Sequence, residues 1–344
     1  MKLAFSTLGM PGQGLGEAVA TAVEYGCAGL ELRLHPDTGV HAGLSPARRA
    51  AVRAILAGSP EGHPAATGAP GGHRKGAGSS GGRSEGAGVP GGHPEGAGTP
   101  GGHPEGAGAP GDGGRGVPGD GWEGMPGAGG EGATGAARPA GGGPSVTVRP
   151  EVSALAGYVR IATAGPDEPV VRALRDDLAL AADLGAPAVR VFPGGDDVET
   201  GARRLRAVAD LCVESGVRVL VETHDAMPTG AAVGRLLDAA GVPEAAGALW
   251  DVLHPWRHGE EPAETLAALA GRLAYVQIKD AVSATDTTPV PMWAGGVPLD
   301  ECGELLRGFG GWVSLEWERV WYPHVAPVEE ILPGAREWVA RFSS

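Results

Sequence analysis

Apolar, β-branched runs in this chain repeatedly end on side chains that do not belong at the end of a buried strand. Val217-Arg-Val-Leu-Val-Glu-Thr-His224-Asp225 closes on a carboxylate, an imidazole and a second carboxylate. Gly247-Ala-Leu-Trp-Asp251 ends on an acid, with His254 three residues later. Leu273-Ala-Tyr-Val-Gln277-Ile-Lys279-Asp280 ends on an amide, a cation and an acid, and Trp312-Val-Ser-Leu-Glu316-Trp-Glu318 on two acids. A buried strand ends this way where its end opens into a site. In a closed parallel barrel the carboxyl ends of all strands meet on one face, so these groups would converge there.

The rest of the chain supplies the missing units. Lys2–Ser6 alternates into a first strand and Gly16–Tyr25 carries a helical period. Gly29-Leu-Glu31-Leu-Arg33 is a second strand that also ends in charge, and Ser45 followed by Pro46 opens a helix reaching about Ala57. From Glu151 the alternation resumes with a short strand to Leu155, a helix over Val170–Leu184 stopped by Gly185, and the strand Ala188-Val-Arg190-Val-Phe192. One helix is expected over Val198–Ser215 with Gly216 as its stop. Helices over 231–240, 262–270, 299–307 and 327–341 complete the set. Eight strands alternating with eight helices predict a (β/α)₈ TIM barrel and exclude a six-stranded doubly wound sheet. Gly12-Gln-Gly14-Leu-Gly16 after the first strand lacks the last step of the dinucleotide-binding glycine pattern.

Residues 58–145 are written differently. They hold 34 of the chain's 62 glycines, and a ten-residue unit recurs as Gly88-Val-Pro-Gly-Gly-His93-Pro-Glu95-Gly-Ala and again from Gly98. Such a segment has much backbone entropy to lose and little apolar surface to bury, so disorder is expected. Its scattered histidines make no defined metal site. Without it the remainder is close to the ~250 residues typical of the barrel. The domain reading is therefore a barrel over 1–57 and 146–344, interrupted between the second helix and the third strand. That connection lies on the face opposite the strand ends.

A formal charge of −14 offers no footprint for nucleic acid or an anionic membrane surface. No apolar run approaches the ~20 residues of a membrane span, and the first residues do not read as a signal peptide. The cysteines Cys27, Cys212 and Cys302 are far apart and read as buried thiols. The expected location is the cytoplasm. Whether the chain forms a homo-oligomer is left open.

The motifs Phe5-Ser-Thr, Gly29-Leu-Glu-Leu-Arg33, Val221-Glu-Thr-His224, Trp250-Asp-Val-Leu-His254, Val276-Gln-Ile-Lys-Asp280 and Ser314-Leu-Glu-Trp-Glu318 resemble the xylose isomerase-like TIM-barrel superfamily, the sugar phosphate isomerases and epimerases. The resemblance covers the chain outside the glycine-rich insertion. It implies one divalent ion held by Glu222, Asp251, Gln277 and Glu316, at the ends of strands five to eight. It also implies a proton-transfer pair, Glu222 and Glu316, and substrate contacts from His254, Lys279, Arg190, Glu31 and His224. The implied function is that of a metal-dependent isomerase or epimerase of a sugar, sugar phosphate or cyclitol, working through an enediolate. A dehydratase of inosose or dehydroshikimate type is the alternative, followed by a non-catalytic barrel that has lost its ion. An endonuclease on the same scaffold needs more histidines than the barrel portion contains. The family usually has histidine where Gln277 stands, and a donor set dominated by oxygen favours Mn²⁺ or Mg²⁺, with Co²⁺ tolerated. The expected partner is a small polyol or keto sugar.

Overall fold

A computed structural model describes residues 1–58 and 149–343. Its parallel strands are β1 (Lys2–Ser6), β2 (Gly29–Arg33), β3 (Glu151–Arg160), β4 (Ala188–Phe192), β5 (Arg218–Glu222), β6 (Ala246–Asp251), β7 (Leu273–Ile278) and β10 (Trp312–Leu315). They close in the order β1-β10-β7-β6-β5-β4-β3-β2, which is the TIM barrel expected. A two-residue antiparallel pair, β8 (Asp280–Ala281) and β9 (Pro289–Val290), sits within the β7–β10 connection. Helices α1 (Leu15–Glu24), α2 (Pro46–Leu56), α3 (Asp167–Leu184), α4 (Val198–Arg206), α5 (Ala209–Ser215), α6 (Gly230–Ala240), α7 (Leu253–Arg257), α8 (Pro262–Ala268), α9 (Leu299–Leu305) and α10 (Val328–Phe342) complete the fold. The glycine-rich run, for which disorder was expected, lies outside the described residues.

The period of two along each strand divides the barrel into an outer and an inner surface. Val219, Val221, Val276, Val313 and Leu315 belong to the large core that includes the helices' apolar faces. Ala154, Ala188, Leu220, Leu249 and Tyr275 form a separate inner cluster, against which Trp312 packs. Trp312 comes so close to Gly29 that a Cβ there would lie 2.6 Å from its ring, so only glycine lets β2 pass this side chain. Two residues beyond Ala188, Leu220, Leu249 and Tyr275 stand Arg190, Glu222, Asp251 and Gln277. One strand thus lays an apolar floor and then a polar site above it.

Two elements differ from expectation. β3 continues to Arg160, because Gly157 lies within the strand: a Cβ there would meet Arg190 O at 2.9 Å. This glycine permits close pairing with β4 and does not end the strand. The single helix expected over 198–215 is two, α4 and α5, with Val208 between them at φ −115°. Leu205, Val208 and Cys212 are all buried, so the apolar face runs unbroken through the interruption. Caps behave as read: Ser45 Oγ accepts from Arg48 N, and Gly185 and Gly216 stop their helices in the left-handed region. The three cysteines are free and buried, which pushes the Cys27 and Cys302 thiols up to about 12 and that of Cys212 to about 11.

Candidate active site

Glu31 from β2, Arg190 from β4, Glu222 from β5, Asp251 from β6, Gln277 from β7, Lys279 just past β7 and Glu316 just past β10 are all buried at the carboxyl ends of the strands. The barrel's closure brings together residues far apart in the chain. Gln277 Nε2 donates to Glu31 Oε1 and to Glu316 Oε1, each at 3.0 Å. Lys279 Nζ donates to Glu316 Oε2 at 2.6 Å and to Glu318 Oε1 at 2.5 Å. The same ammonium lies 2.8 Å from Asp251 Oδ2, an ion pair set off the hydrogen-bond direction. Asp251 Oδ1 accepts from Leu253 N at 2.8 Å, which fixes the rotamer of the carboxylate.

The opposite wall is aromatic and cationic. Arg190 Nε is 3.2 Å from Glu222 Oε2, and its guanidinium lies 4.0 Å from the centre of the Phe192 ring. His224 packs between Phe192, tilted against it, and His254, edge-on to it, with ring centres 4.4 and 4.3 Å away. Its Nδ1 is 2.9 Å from Asp225 Oδ1, and Asp225 adopts φ 50°, a left-handed conformation uncommon outside glycine. At the rim, Arg33 donates to Tyr158 Oη at 2.6 Å and to Asp37 at 2.8 Å.

Burial and neighbouring charge set the proton affinities. Burial raises Glu222 to about 8 despite the Arg190 guanidinium, and raises Asp251 to about 6 despite the Lys279 ammonium. Burial and the adjacent Glu316 also raise Glu31. For Glu316 burial pushes upward too, but Lys279 and Arg190 outweigh it and hold the carboxyl below its ordinary range. Burial, with His224 nearby, keeps His254 neutral by lowering it well below the usual imidazole value.

The cluster fits a divalent cation. One oxygen from each of Glu222, Asp251 and Glu316 lies within 4.8 Å of the others. Glu222 Oε2, Asp251 Oδ2, Gln277 Oε1 and Glu31 Oε2 are buried acceptors without a hydrogen bond. Two of them already face a cation, Asp251 Oδ2 the Lys279 ammonium and Glu222 Oε2 the Arg190 guanidinium, and so many converging buried acceptors suit a further positive charge. A second grouping, Glu222 with the imidazoles of His224 and His254, shares one carboxylate with the first. Three of the four expected ligands therefore converge, and Gln277 joins them through its hydrogen bond to Glu316.

Among the expected substrate contacts, Arg190, His224 and His254 line one wall, while Glu31 is tied to the cluster through Gln277. Lys279 lies inside the carboxylate group and not on the wall. Glu318 was not expected in the site; its place two residues after Glu316 on a polar strand end was the available signal.

The chain belongs to the family of xylose isomerase-like TIM barrels, whose model matches residues 149–342. Similar solved structures include the probable 3-DHS dehydratase AsbF of Bacillus anthracis, at 16% identity and a TM-score of 0.61, covering 100% of both chains. A D-tagatose 3-epimerase-like protein aligns at 12% identity and a TM-score of 0.60, covering 99% of this chain and 98% of its own. The IolI protein with a bound zinc atom aligns at 12% and 0.61, covering 100% of both. No curated protein matches the chain significantly. No described helix is long and apolar enough to cross a membrane.

Proposed function

We propose that the barrel is a metal-dependent isomerase or epimerase of a small polyhydroxylated ketone, with Glu222 and Glu316 as the proton-transfer pair. The observation that carries this reading is the approach of Glu222, Asp251 and Glu316 to within 4.8 Å at three strand ends. These carboxylates and Gln277 Oε1 would hold a divalent ion, which would supply Lewis acidity to the substrate. Oxygen donors favour Mn²⁺ or Mg²⁺ and admit Co²⁺. Glu222 and Glu316 remove a carbon-bound proton and return it, as general base and acid. Arg190, whose Nε pairs with Glu222, keeps a buried terminal nitrogen without a hydrogen bond that donates to a substrate oxygen, and the neutral His254 lies in the same wall. The neighbouring structures named for an epimerase and a dehydratase support an enzyme of this general kind.

A dehydratase is the second reading, favoured by one observation. The probable 3-DHS dehydratase AsbF shares this fold over the full length of both chains, which supports a lyase on the same scaffold. One assay separates the readings. Chelator-treated protein, with and without added Mn²⁺, is given ketoses, inososes and dehydroshikimate in D₂O and followed by NMR. Inverted or isomerised product carrying deuterium supports the isomerase, and loss of water supports the lyase. Full turnover by the chelated protein refutes both metal-dependent readings.

A further inference from the structure

Resting on the metal-site reading, we infer that Lys279 is a built-in counter-ion that competes with the divalent ion for Asp251 and Glu316, with Glu318 as its alternative partner. Lysine carries three N–H donors and one charge. In this structure that charge faces three carboxylates: Asp251 at 2.8 Å, Glu316 at 2.6 Å and Glu318 at 2.5 Å. Two of the three are expected ligands of the ion. Glu318 is not, and its side chain is 18% exposed where those of Asp251 and Glu316 are 0% and 6%.

Buried carboxylates this close repel one another unless a cation lies among them. The ammonium supplies that cation in the protein alone. A divalent ion on Asp251 and Glu316 would face a like charge a hydrogen-bond length from its own ligands, so the two cations do not share these oxygens. Glu318 resolves the conflict. It stands two residues beyond Glu316, already holds Nζ, and is free of the other ligands, so the ammonium can give up Asp251 and Glu316 without becoming an unpaired buried charge. The site accordingly exchanges one cation for another, at a cost in metal affinity.

The test is Mn²⁺ affinity, measured by calorimetry and by the EPR signal of free Mn²⁺ on chelator-treated protein. Lys279→Met should bind Mn²⁺ at least tenfold more tightly than wild type, and its melting temperature should rise more on adding Mn²⁺. Glu318→Gln should bind more weakly, because the ammonium then has only the ligands to hold. The double variant should match Lys279→Met, since Glu318 acts through Lys279. Should Lys279→Met fail to fold without metal, Lys279→Gln prepared with Mn²⁺ and titrated with a competing chelator gives the same comparison. Equal or weaker binding in the Lys279 variants overturns the inference while leaving the metal site standing. So does a Glu318→Gln penalty of the same size in both backgrounds. No binding by wild type or variant overturns the inference and the metal reading together.

Discussion

The two sides of the barrel mouth differ in the kind of polar group left without a hydrogen bond. Among the carboxylate and amide side chains of β6, β7 and β2 the atoms without a hydrogen bond are acceptors: Asp251 Oδ2, Gln277 Oε1 and Glu31 Oε2. Around β4 and β5 they include donors, since Arg190 Nε and one of its terminal nitrogens are without a hydrogen bond beside Glu222 Oε2. Each such buried group costs roughly 1–3 kcal/mol. A ligand bound at the mouth would complete them. A surface of acceptors suits a cation, whereas donors beside an acceptor suit a hydroxyl or carbonyl. The mouth is thus read as a metal side and a substrate side, with Glu222 belonging to both.

The largest effect is expected where the sides meet. Aspartate at Glu222 or Glu316 keeps the charge but draws the carboxylate back by a methylene. Positioned acid–base groups contribute roughly 10²–10⁴-fold. Glu222→Asp and Glu316→Asp should therefore retain most of their Mn²⁺ at saturation and lose rate on that scale, with solvent-deuterium exchange falling in step. If both variants hold metal and exchange the substrate proton at the normal rate, the two-glutamate assignment is wrong.

A smaller pair of effects should divide cleanly between the sides. Arg190→Lys keeps the charge near Glu222 but loses the planar fork of donors. It should cost about tenfold in kcat/KM, mostly in KM, with Mn²⁺ affinity unchanged. Gln277→His replaces an amide oxygen with an imidazole and should shift preference toward Zn²⁺ or Co²⁺, with KM unchanged. Steady-state kinetics and metal titration on both variants decide this. The two-sided reading fails if Arg190→Lys alters metal choice or Gln277→His alters KM.

Much of this division was legible in the sequence, and the limits have physical causes. The strands β4 to β7 each place a polar residue two positions beyond an apolar one, so Glu222, Asp251 and Gln277 stand out as polar strand ends, and the family resemblance implies their role as ligands. Which of them touch one another depends on barrel closure. The Gln277–Glu31 bond spans 246 residues, and the grip of Lys279 on Asp251, Glu316 and Glu318 joins three separate segments. The break between α4 and α5 left no trace because the buried face continues across it. The strand expected to end at Leu155 runs on through Gly157, where the missing side chain permits close packing against β4.

Asp177 on α3 tests how much of the mouth's behaviour is burial alone, because it is a buried carboxylate away from the site. Burial, with Asp176 alongside, raises it to about 7. Its ordinary value is near ~3.9. Between these values the folded chain binds more protons than the unfolded one, so the group's contribution to stability falls as pH rises and its cost is complete above about 7. The cost is at most about 4 kcal/mol, at 1.36 per unit. Asp177→Asn should melt near wild type at pH 4 and increasingly above it toward pH 8, with kcat unchanged. A melting difference that is flat with pH would show that the carboxyl is ionised at no cost.

The smallest effect is expected from the largest change. Residues 58–145 enter after α2, whose last residue is Leu56, and the described chain resumes just before β3 at Glu151. Both junctions lie at the amino-terminal end of β3, on the face opposite Glu222 and Lys279. The segment's composition offers glycine and proline where a packed unit needs apolar side chains, so it has little with which to stabilise a neighbour. Removing 60–144 and joining the ends through a short Gly-Ser linker also shortens the loop that folding must close, and loop-closure entropy grows only slowly with length. The deletion should therefore shift the melting temperature by no more than a few degrees, upward if at all, and leave kcat/KM and Mn²⁺ affinity within about twofold. A lower melting temperature together with weaker Mn²⁺ binding would mean that the segment supports the mouth from the far face, and both the domain boundary and the two-sided reading would have to be redrawn.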